Sequence, residues 1–171
     1  MTQIGNIILD QKQIDHKIRR IAYQIYENNI SEKEVVIAGI FENGFVFAKK
    51  IKTVIEKISP IKVIMCKVMI DKKNPIEPIT TSLESKIYKN KSLVLVDDVL
   101  FSGRTIRAAL DAIGELGRPK SVQLAVLVDR GHRELPIRAD YVGKNIPTSK
   151  SESVKVHLSE YDNEDLVELI K

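Results

Sequence analysis

The feature that most constrains the fold is the alternation of short apolar runs with longer amphipathic segments along the chain. The short runs are rich in Val, Ile and Leu, as buried strands of a parallel sheet are, and they occupy residues 35–40, 61–70, 93–96 and 122–128. Apolar residues recur at helical spacing at residues 14–25, 47–58 and 106–113. Strands that alternate with helices form parallel sheets through right-handed crossovers. The sequence therefore predicts an α/β fold, a doubly wound, mainly parallel sheet with helices on both faces.

The ends of the predicted helices carry local signals. Asp10 and Gln13 have the spacing of a capping box, which predicts that the first helix begins there and runs to about residue 28. The second helix follows Gly44 and ends before Pro60, because proline cannot continue a helix. The third is predicted over residues 104–116, with the following glycine as its C-cap.

Weaker patterns complete the assignment. Short edge strands are predicted at residues 141–142 and 154–158, and residues 162–171 are expected to be a short tail with a helical turn. Residues 71–91 are mostly polar, contain two prolines and show no clear period. A long loop or hairpin is predicted there, and loops of that length are often functional.

Size and composition favour one domain spanning residues 1–171 with a sizeable core. No apolar run is long enough to cross a bilayer, and the first residues lack the basic and apolar regions of a signal peptide. We therefore expect a cytoplasmic protein that does not bind membranes. Cys66 is the single cysteine and is predicted to be a core residue. The three histidines lack metal-ligand spacing, so no dedicated metal site is expected.

The positive charge of the chain is concentrated in one segment. Residues 118–150 hold seven basic and three acidic residues, an excess equal to the net charge of +4 of the whole chain. Such a segment suits a polyanionic partner, although Lys and Arg at loop ends can equally form an ordinary solvated rim.

The segment with the clearest chemistry is residues 93–105, where a strand is followed by an acidic pair, a small-residue loop and a helix. In open α/β sheets, ligands bind beyond the carboxyl ends of the strands. The loop at residues 102–105 opens a helix, whose free amides and positive dipole end suit a phosphate dianion. Asp97 and Asp98 precede it, and carboxylates accept hydrogen bonds well from vicinal ribose hydroxyls. The segment therefore predicts a ribose-5-phosphate site.

Two common phosphate-binding motifs do not fit this chain. A Walker A loop needs a Gly-Lys-Ser/Thr triplet, which the chain lacks. A dinucleotide fingerprint needs spaced glycines directly after a strand, whereas Gly114 and Gly117 lie at a helix end. For the acidic pair alone, an ordinary capping turn is the alternative, but it does not account for the whole thirteen-residue block.

This block resembles the PRPP-binding motif (PRPP, 5-phosphoribosyl 1-pyrophosphate) that many type I phosphoribosyltransferases share. A longer match, at residues 117–119, 122–140 and 142–149, resembles the PyrR family, bifunctional pyrimidine-operon attenuation regulators and uracil phosphoribosyltransferases. The first ninety residues match that family only in layout. The resemblance implies a type I phosphoribosyltransferase-like fold with a small hood, a flexible loop at 71–91 and a base-side and RNA-binding segment at 129–158.

Two activities are implied by the resemblance: transfer of phosphoribose from PRPP to uracil, with Mg²⁺ carried on PRPP, giving UMP and pyrophosphate, and UMP-regulated binding to the leader mRNA of pyrimidine genes. It also implies self-association as a dimer or higher oligomer. Asp97 and Asp98 would hold the ribose hydroxyls as catalytic residues. The 5′-phosphate would be held by Phe101, Ser102, Gly103, Arg104 and Thr105. The base side would be Val128, Asp129 and Arg130. RNA would contact Arg20, His132, Arg133, Arg138 and Lys144.

The chain departs from the family pattern at the pyrophosphate loop. Family members carry Thr-Arg-Gly after the first core strand, and here the loop is Glu42, Asn43 and Gly44. Cationic donors aimed at departing pyrophosphate lower the barrier, whereas a carboxylate there opposes the reaction. The family's Tyr-Arg-Asp-Asp element of the flexible loop is also replaced, by residues 71–75, and Lys72 or Lys73 would substitute only partly because lysine lacks bidentate geometry.

The first helix departs as well. By an alignment through Ile21 and Ala22, the family's RNA-linked Thr and His positions hold Arg19 and Tyr23, while Arg20 keeps its type. Arg19 adds positive charge and Tyr23 can stack on a base, so RNA binding is altered rather than excluded.

Three hypotheses follow. The first is a phosphoribosyltransferase acting on uracil or a related base. The second is a nucleotide-sensing RNA-binding regulator with weak or no catalysis. The third is a sensor of PRPP or nucleotide that does not bind RNA.

Overall fold

The structure is a computed structural model that describes residues 5–70, 80–81, 88–160 and 163–171. In chain order the elements are β1 (Asn6–Leu9), α1 (Gln11–Asn28), β2 (Glu34–Ile40), α2 (Asn43–Ile58), β3 (Lys62–Met69), β4 (Thr80–Thr81), β5 (Ser92–Leu100), α3 (Arg104–Leu116), β6 (Ser121–Asp129), β7 (Tyr141–Asn145), β8 (Ser153–His157) and β9 (Leu166–Ile170). Most of the loop predicted at 71–91, including Lys72 and Lys73, lies outside the described residues.

The main sheet has six strands in the order β4-β3-β2-β5-β6-β7. Five of them are parallel, and the two-residue β4 pairs antiparallel with β3. The central pairs are in register, with Gly39 opposite Val96 and Leu100 opposite Asp129. The carboxyl ends of β2, β5 and β6 therefore meet at one edge, where ligands bind in sheets of this kind.

Helices cover both faces of the sheet, which confirms the predicted fold class. On one face α1 and α2 pack over β2, β5, β6 and β7, and the apolar residues of their predicted stripes are buried there, except that Val54 and Ile58 are partly buried. On the other face α3 packs through Ile106 and Ile113. The capping box at Asp10 and Gln13 is present, with Gln13 N donating to Asp10 Oδ1 at 2.8 Å. No helix within the described ranges is both long and apolar enough to cross a membrane.

A second, antiparallel sheet of three strands, in the order β1-β9-β8, forms the small hood. The prediction of a C-terminal tail with a helical turn was wrong, because Leu166–Ile170 is β9, the central strand of this sheet. The partners of β9 are β1 and β8, so the pairing that stabilises it includes residues from the other end of the chain. The hood is tied to α2 by Lys50, whose Nζ lies 3.2 Å from Oδ2 of the buried Asp165.

Candidate active site

The loop between β5 and α3 is where the sequence predicts phosphate binding. β5 continues through the acidic pair to Leu100, and α3 begins at Arg104. The N-cap residue is Gly103, which has no side chain to satisfy the amides of the first turn. Its φ of +92° lies in the left-handed region that favours glycine, and an added Cβ would lie 3.3 Å from Ile137 Cδ1. Glycine is therefore favoured here by conformation, and the contact with Ile137 leaves little room for a larger residue.

A cavity of about 230 Å³ lies at this loop. It is lined by Asp97 and by residues 99–106. The positive charge of Arg104 is paired with Glu134, since Arg104 Nε donates to Glu134 Oε2 at 2.6 Å. The main chain of the loop is fixed from behind, since Ser102 O accepts hydrogen bonds from the amides of Glu134 and Leu135. What the site offers an anion is the positive end of α3, together with the hydroxyl-bearing residues Ser102 and Thr105.

Asp97 lines this cavity, and Asp98 is the next residue of β5. Asp97 is buried, with 2% of its surface exposed, and Asp98 is half-buried. Asp97 Oδ1 accepts a hydrogen bond from the amide of Asp98 at 2.9 Å, and Asp98 Oδ1 accepts one from the amide of Val99 at 2.8 Å. Each carboxylate is thus oriented by the main chain, a preorganisation that suits recognition of sugar hydroxyls.

Gly44 allows α2 to approach the acidic pair. A Cβ added to Gly44 would lie 2.8 Å from Val96 O and 3.1 Å from Asp97 Oδ1. Any other residue would therefore push the start of α2 away from β5. The loop at residues 41–44 and the acidic pair belong to one site because this glycine lets their backbones meet.

Two side chains of the 41–44 loop, those of Asn43 and Glu42, differ in how they contact the rest of the protein. Asn43 Nδ2 donates to Val156 O of the hood at 2.9 Å and to Asp98 Oδ2 at 3.4 Å. Glu42 is exposed and occupies the N-cap position of α2 without a side-chain capping bond. The peptide between Phe41 and Glu42 is cis. The loop therefore presents one carboxylate and one amide, and no cation of its own.

One cation beside this loop was missed in the sequence-based prediction. Lys67 Nζ lies 5.2 Å from the ring centroid of Phe41 and 4.8 Å from that of Phe45. Lys67 pairs with Gly39 across the β2–β3 register, which brings it to the carboxyl edge of the sheet. Alignment of the two predicted strands at that edge is the signal that would have found it.

The predicted base-side residues meet the same edge. Val128 is buried, Asp129 pairs with Leu100, and Arg130 is 8% exposed. The guanidinium of Arg130 donates to Thr148 Oγ1 at 3.1 Å and to the carbonyl oxygens of Ser149 and Glu152. The guanidinium of Arg130 is therefore engaged in holding the 148–152 loop. Its hydrogen bonds go to the protein.

The predicted RNA-binding residues fall into two groups. Three of them hold the main chain: Arg20 donates to the carbonyls of Val142 and Gly143, Arg133 donates to those of Phe101 and Ile137 and pairs with Asp129, and His132 contacts Thr148 O. Arg138 and Lys144 are exposed. Arg20 is exposed as well, but its guanidinium is hydrogen-bonded to the two carbonyls named above.

Comparison with known proteins decides the family. The profile of the phosphoribosyl transferase domain matches residues 5–161. The chain is 47% identical to the bifunctional protein PyrR of Clostridium novyi (strain NT), covering 99% of both chains. It is 48% identical to the bifunctional protein PyrR of Bacillus pumilus (strain SAFR-032), covering 94% of both.

The chain belongs to the PyrR family.

Solved structures agree on the fold. A hypoxanthine-guanine phosphoribosyltransferase from Bacillus anthracis superposes with a TM-score of 0.76 at 20% identity over 99% of both chains. The hypoxanthine phosphoribosyltransferase of Trypanosoma cruzi gives 0.78 at 17% identity over 100% of this chain and 99% of that one. At such identities the likeness shows the fold alone. The resemblance on which the site residues were assigned is confirmed at the level of the family, and the roles of individual PyrR-type residues stay predictions.

Proposed function

We propose that this PyrR-family chain transfers phosphoribose from PRPP to uracil, giving UMP and pyrophosphate. The observation that carries the proposal is that Asp97 lines the same cavity as the start of α3, with Asp98 next to it in β5. A carboxylate pair oriented by main-chain amides suits the two ribose hydroxyls. A helix that opens on Gly103 suits the 5′-phosphate. The cavity, at about 230 Å³, is below the about 300–1,000 Å³ of pockets for drug-sized ligands, which favours a sugar phosphate at this end.

In the proposed reaction the bond between C1 of the ribose and the pyrophosphate oxygen breaks, a bond forms from C1 to N1 of uracil, and the N1 proton passes to solvent. The ribose becomes electron-poor as pyrophosphate leaves. Two negatively charged groups beside it, Asp97 and Asp98, stabilise that charge while holding the hydroxyls. The protein supplies no covalent intermediate, so positioning and charge account for the rate.

Mg²⁺ enters this scheme as part of the substrate, carried on the pyrophosphate of PRPP. The described parts of the chain bring no three His, Cys, Asp or Glu side chains together as a metal-ligand set. Mg²⁺ keeps several of its waters and is usually bound through one or two carboxylates plus substrate phosphates. Asp97 and Asp98 fit that mode without a dedicated cage, and a metal held this way would neutralise the leaving group.

The 41–44 loop sets the expected rate below that of a family member with Thr-Arg-Gly. Removal of one donor to developing charge costs about 3–4 kcal/mol in enzymes where it has been measured. Here Asn43 is hydrogen-bonded to Val156 and Asp98, and Glu42 adds a negative charge at the same loop. Lys67 supplies positive charge nearby through its place at the edge of the sheet. We expect slow turnover that depends on Lys67.

A second role, nucleotide-sensitive RNA binding, is favoured by a separate observation. Arg138 and Lys144 are exposed within the basic segment at 118–150, and arginine and lysine contacts to phosphate dominate affinity for nucleic acid. The partner implied for a PyrR-family chain is the leader mRNA of pyrimidine genes. A titration of that RNA in the presence and absence of UMP separates this role from a sensor that ignores RNA.

The transferase is tested by incubating the protein with PRPP, Mg²⁺ and each free nucleobase in turn, and by identifying the nucleotide that forms. We expect UMP and pyrophosphate in equal amounts with uracil. Asp98→Asn serves as the control for contaminating activity, because it removes the charge that holds the ribose. Lack of turnover with every base would refute the transferase, and UMP-sensitive RNA binding in that same preparation would establish the regulator in its place.

A further inference from the structure

We propose that the ring of Phe101 is the platform on which the pyrimidine base of the substrate and of UMP stacks. This inference rests on the proposed function and deepens it, because it assigns the base to a side chain rather than to the main chain at residues 128–130. The resemblance groups Phe101 with the 5′-phosphate residues, but its side chain carries no hydrogen-bond donor for a phosphate. Its main-chain amide can serve a phosphate, whereas its ring can contribute only an apolar or stacking contact.

The surroundings of Phe101 are those of an incomplete aromatic stack. The residue is 41% exposed although it lines the cavity at the start of α3. An aromatic ring left in contact with water at a cavity wall gives up the burial that stabilises other large apolar side chains. It lies one residue before Ser102, so a ligand whose phosphate occupies the loop has its remaining parts close to this ring.

One face of the ring is already covered. The guanidinium carbon of Arg130 lies 4.1 Å from the ring centroid, a distance that places the cation over the face and not at the edge. The edge of His132 contacts the ring with centroids 6.1 Å apart and planes at 66°. The opposite face is therefore the part of the ring that remains for a ligand.

Hydrogen bonds hold the guanidinium layer of the platform and the main chain that carries the ring. Arg130 is 8% exposed and donates to Thr148, Ser149 and Glu152, so it cannot swing into the site. The carbonyl of Phe101 accepts a hydrogen bond from Arg133 Nη1 at 2.9 Å. A preorganised surface of this kind binds a planar ring without ordering cost at the moment of binding.

The ligand that such a surface takes is a flat heteroaromatic base. Stacking on an aromatic side chain is tolerant of base identity, since every base has a π face. The platform would therefore set affinity for the base, and discrimination of uracil from other bases would come from polar groups at its edge. This separates the role of Phe101 from that of Val128–Arg130.

Steady-state kinetics give the first test. Phe101→Leu keeps an apolar side chain but removes the ring, and Phe101→Tyr keeps the ring. We expect Phe101→Leu to raise the KM for uracil about 5- to 150-fold, the range for loss of one stacked base, and to leave the KM for PRPP within about two-fold. Phe101→Tyr should raise the KM for uracil less than Phe101→Leu does, because the ring is kept. Equal rises in both KM values would mean that Phe101 only supports the loop, and would overturn the platform.

Fluorescence gives the second test, because the chain contains no tryptophan. Phe101→Trp places the single indole at the platform, and Val122→Trp is the matched control, being 38% exposed near the opposite end of β6. UMP should quench the first variant and not the second, while ribose 5-phosphate should quench neither. Quenching of Phe101→Trp by ribose 5-phosphate, or none by UMP at saturation, would overturn the platform while the transferase stands. Absence of UMP binding to the unmodified chain would overturn both.

Discussion

The side chain of Asn43 joins the start of α2 to the acidic pair, its Nδ2 lying 3.4 Å from Asp98 Oδ2. The same amide donates to Val156 O of the hood at 2.9 Å. By the family pattern this position carries an arginine aimed at pyrophosphate. Here its hydrogen bonds go to the protein, so Asp98 is held in place while the 41–44 loop itself carries no Lys or Arg.

Restoration of the family loop is expected to accelerate turnover. The double substitution Glu42→Thr with Asn43→Arg removes one negative charge and adds one positive charge where pyrophosphate departs. One donor of this kind is worth about 10²–10³ in kcat, and we expect an increase of at least about 10-fold, since the bonds from Asn43 to Asp98 and Val156 are lost. The measurement is kcat for UMP formation. An unchanged or lower kcat in a variant that folds as the parent does would show that Lys67 already fulfils this role.

Loss of the ribose-facing charge should reduce turnover without loss of the fold. Asp98→Asn is nearly isosteric, and hydrogen bonds to a charged group contribute about 1.5–3 kcal/mol. We expect kcat/KM for PRPP to fall about 10- to 100-fold. The control is Asp111→Asn, an exposed carboxylate on α3 that faces Arg107 and does not line the cavity. A similar fall in kcat/KM in both variants would mean that the net charge of the protein, and not the site, causes the effect.

Two glycines, one at the start of α3 and one within it, should respond oppositely to alanine. Gly103→Ala forces a side chain into the left-handed region at φ +92°, 3.3 Å from Ile137, and should cost at least about 1–2 kcal/mol of unfolding free energy and weaken PRPP binding. Gly114→Ala meets nothing within 4 Å inside the same helix and should gain about 0.5–1 kcal/mol. Urea denaturation measures both. A stable Gly103→Ala protein with parental PRPP affinity would contradict the proposed phosphate loop.

The basic segment should separate into structural and surface residues. Arg133→Ala removes bonds to the carbonyls of Phe101 and Ile137 and the ion pair with Asp129, so both stability and UMP binding should fall. Arg138→Ala removes an exposed cation, so leader-RNA affinity should fall, the logarithmic salt slope should drop by about 1, and UMP binding should stay unchanged. RNA titrations at several salt concentrations measure this. Equal RNA affinity for Arg138→Ala and the parent would move the RNA surface elsewhere.

Much of the main sheet could be predicted because its determinants are local. The stripe of Ile14, Ile18 and Ile21 fixes the first helix, and the run at 93–96 fixes its strand, since burial on both faces leaves only apolar residues there. The strand extends beyond that run to Leu100 because the parallel register with β6 continues through Asp97. Polar residues inside a strand at a site are not visible as strand by pattern alone.

What could not be predicted depends on contacts between distant segments. β9 is a strand because β1 and β8 flank it, and five residues carry little signal of their own. The same limit applies to the site, where the family resemblance grouped Arg133 with Arg138 although the first is committed to the main chain and the second is exposed. Lys67 was missed because its proximity to the 41–44 loop follows from strand register and not from sequence distance.

The position of UMP in a crystal structure of its complex with this chain is the most direct test of the central claim. We predict the phosphorus atom at the amides of residues 102–105, where α3 opens, and the ribose hydroxyls within hydrogen-bond distance of Asp97 and Asp98. UMP bound with its phosphate at the 41–44 loop or on the basic segment, away from the start of α3, would contradict the account.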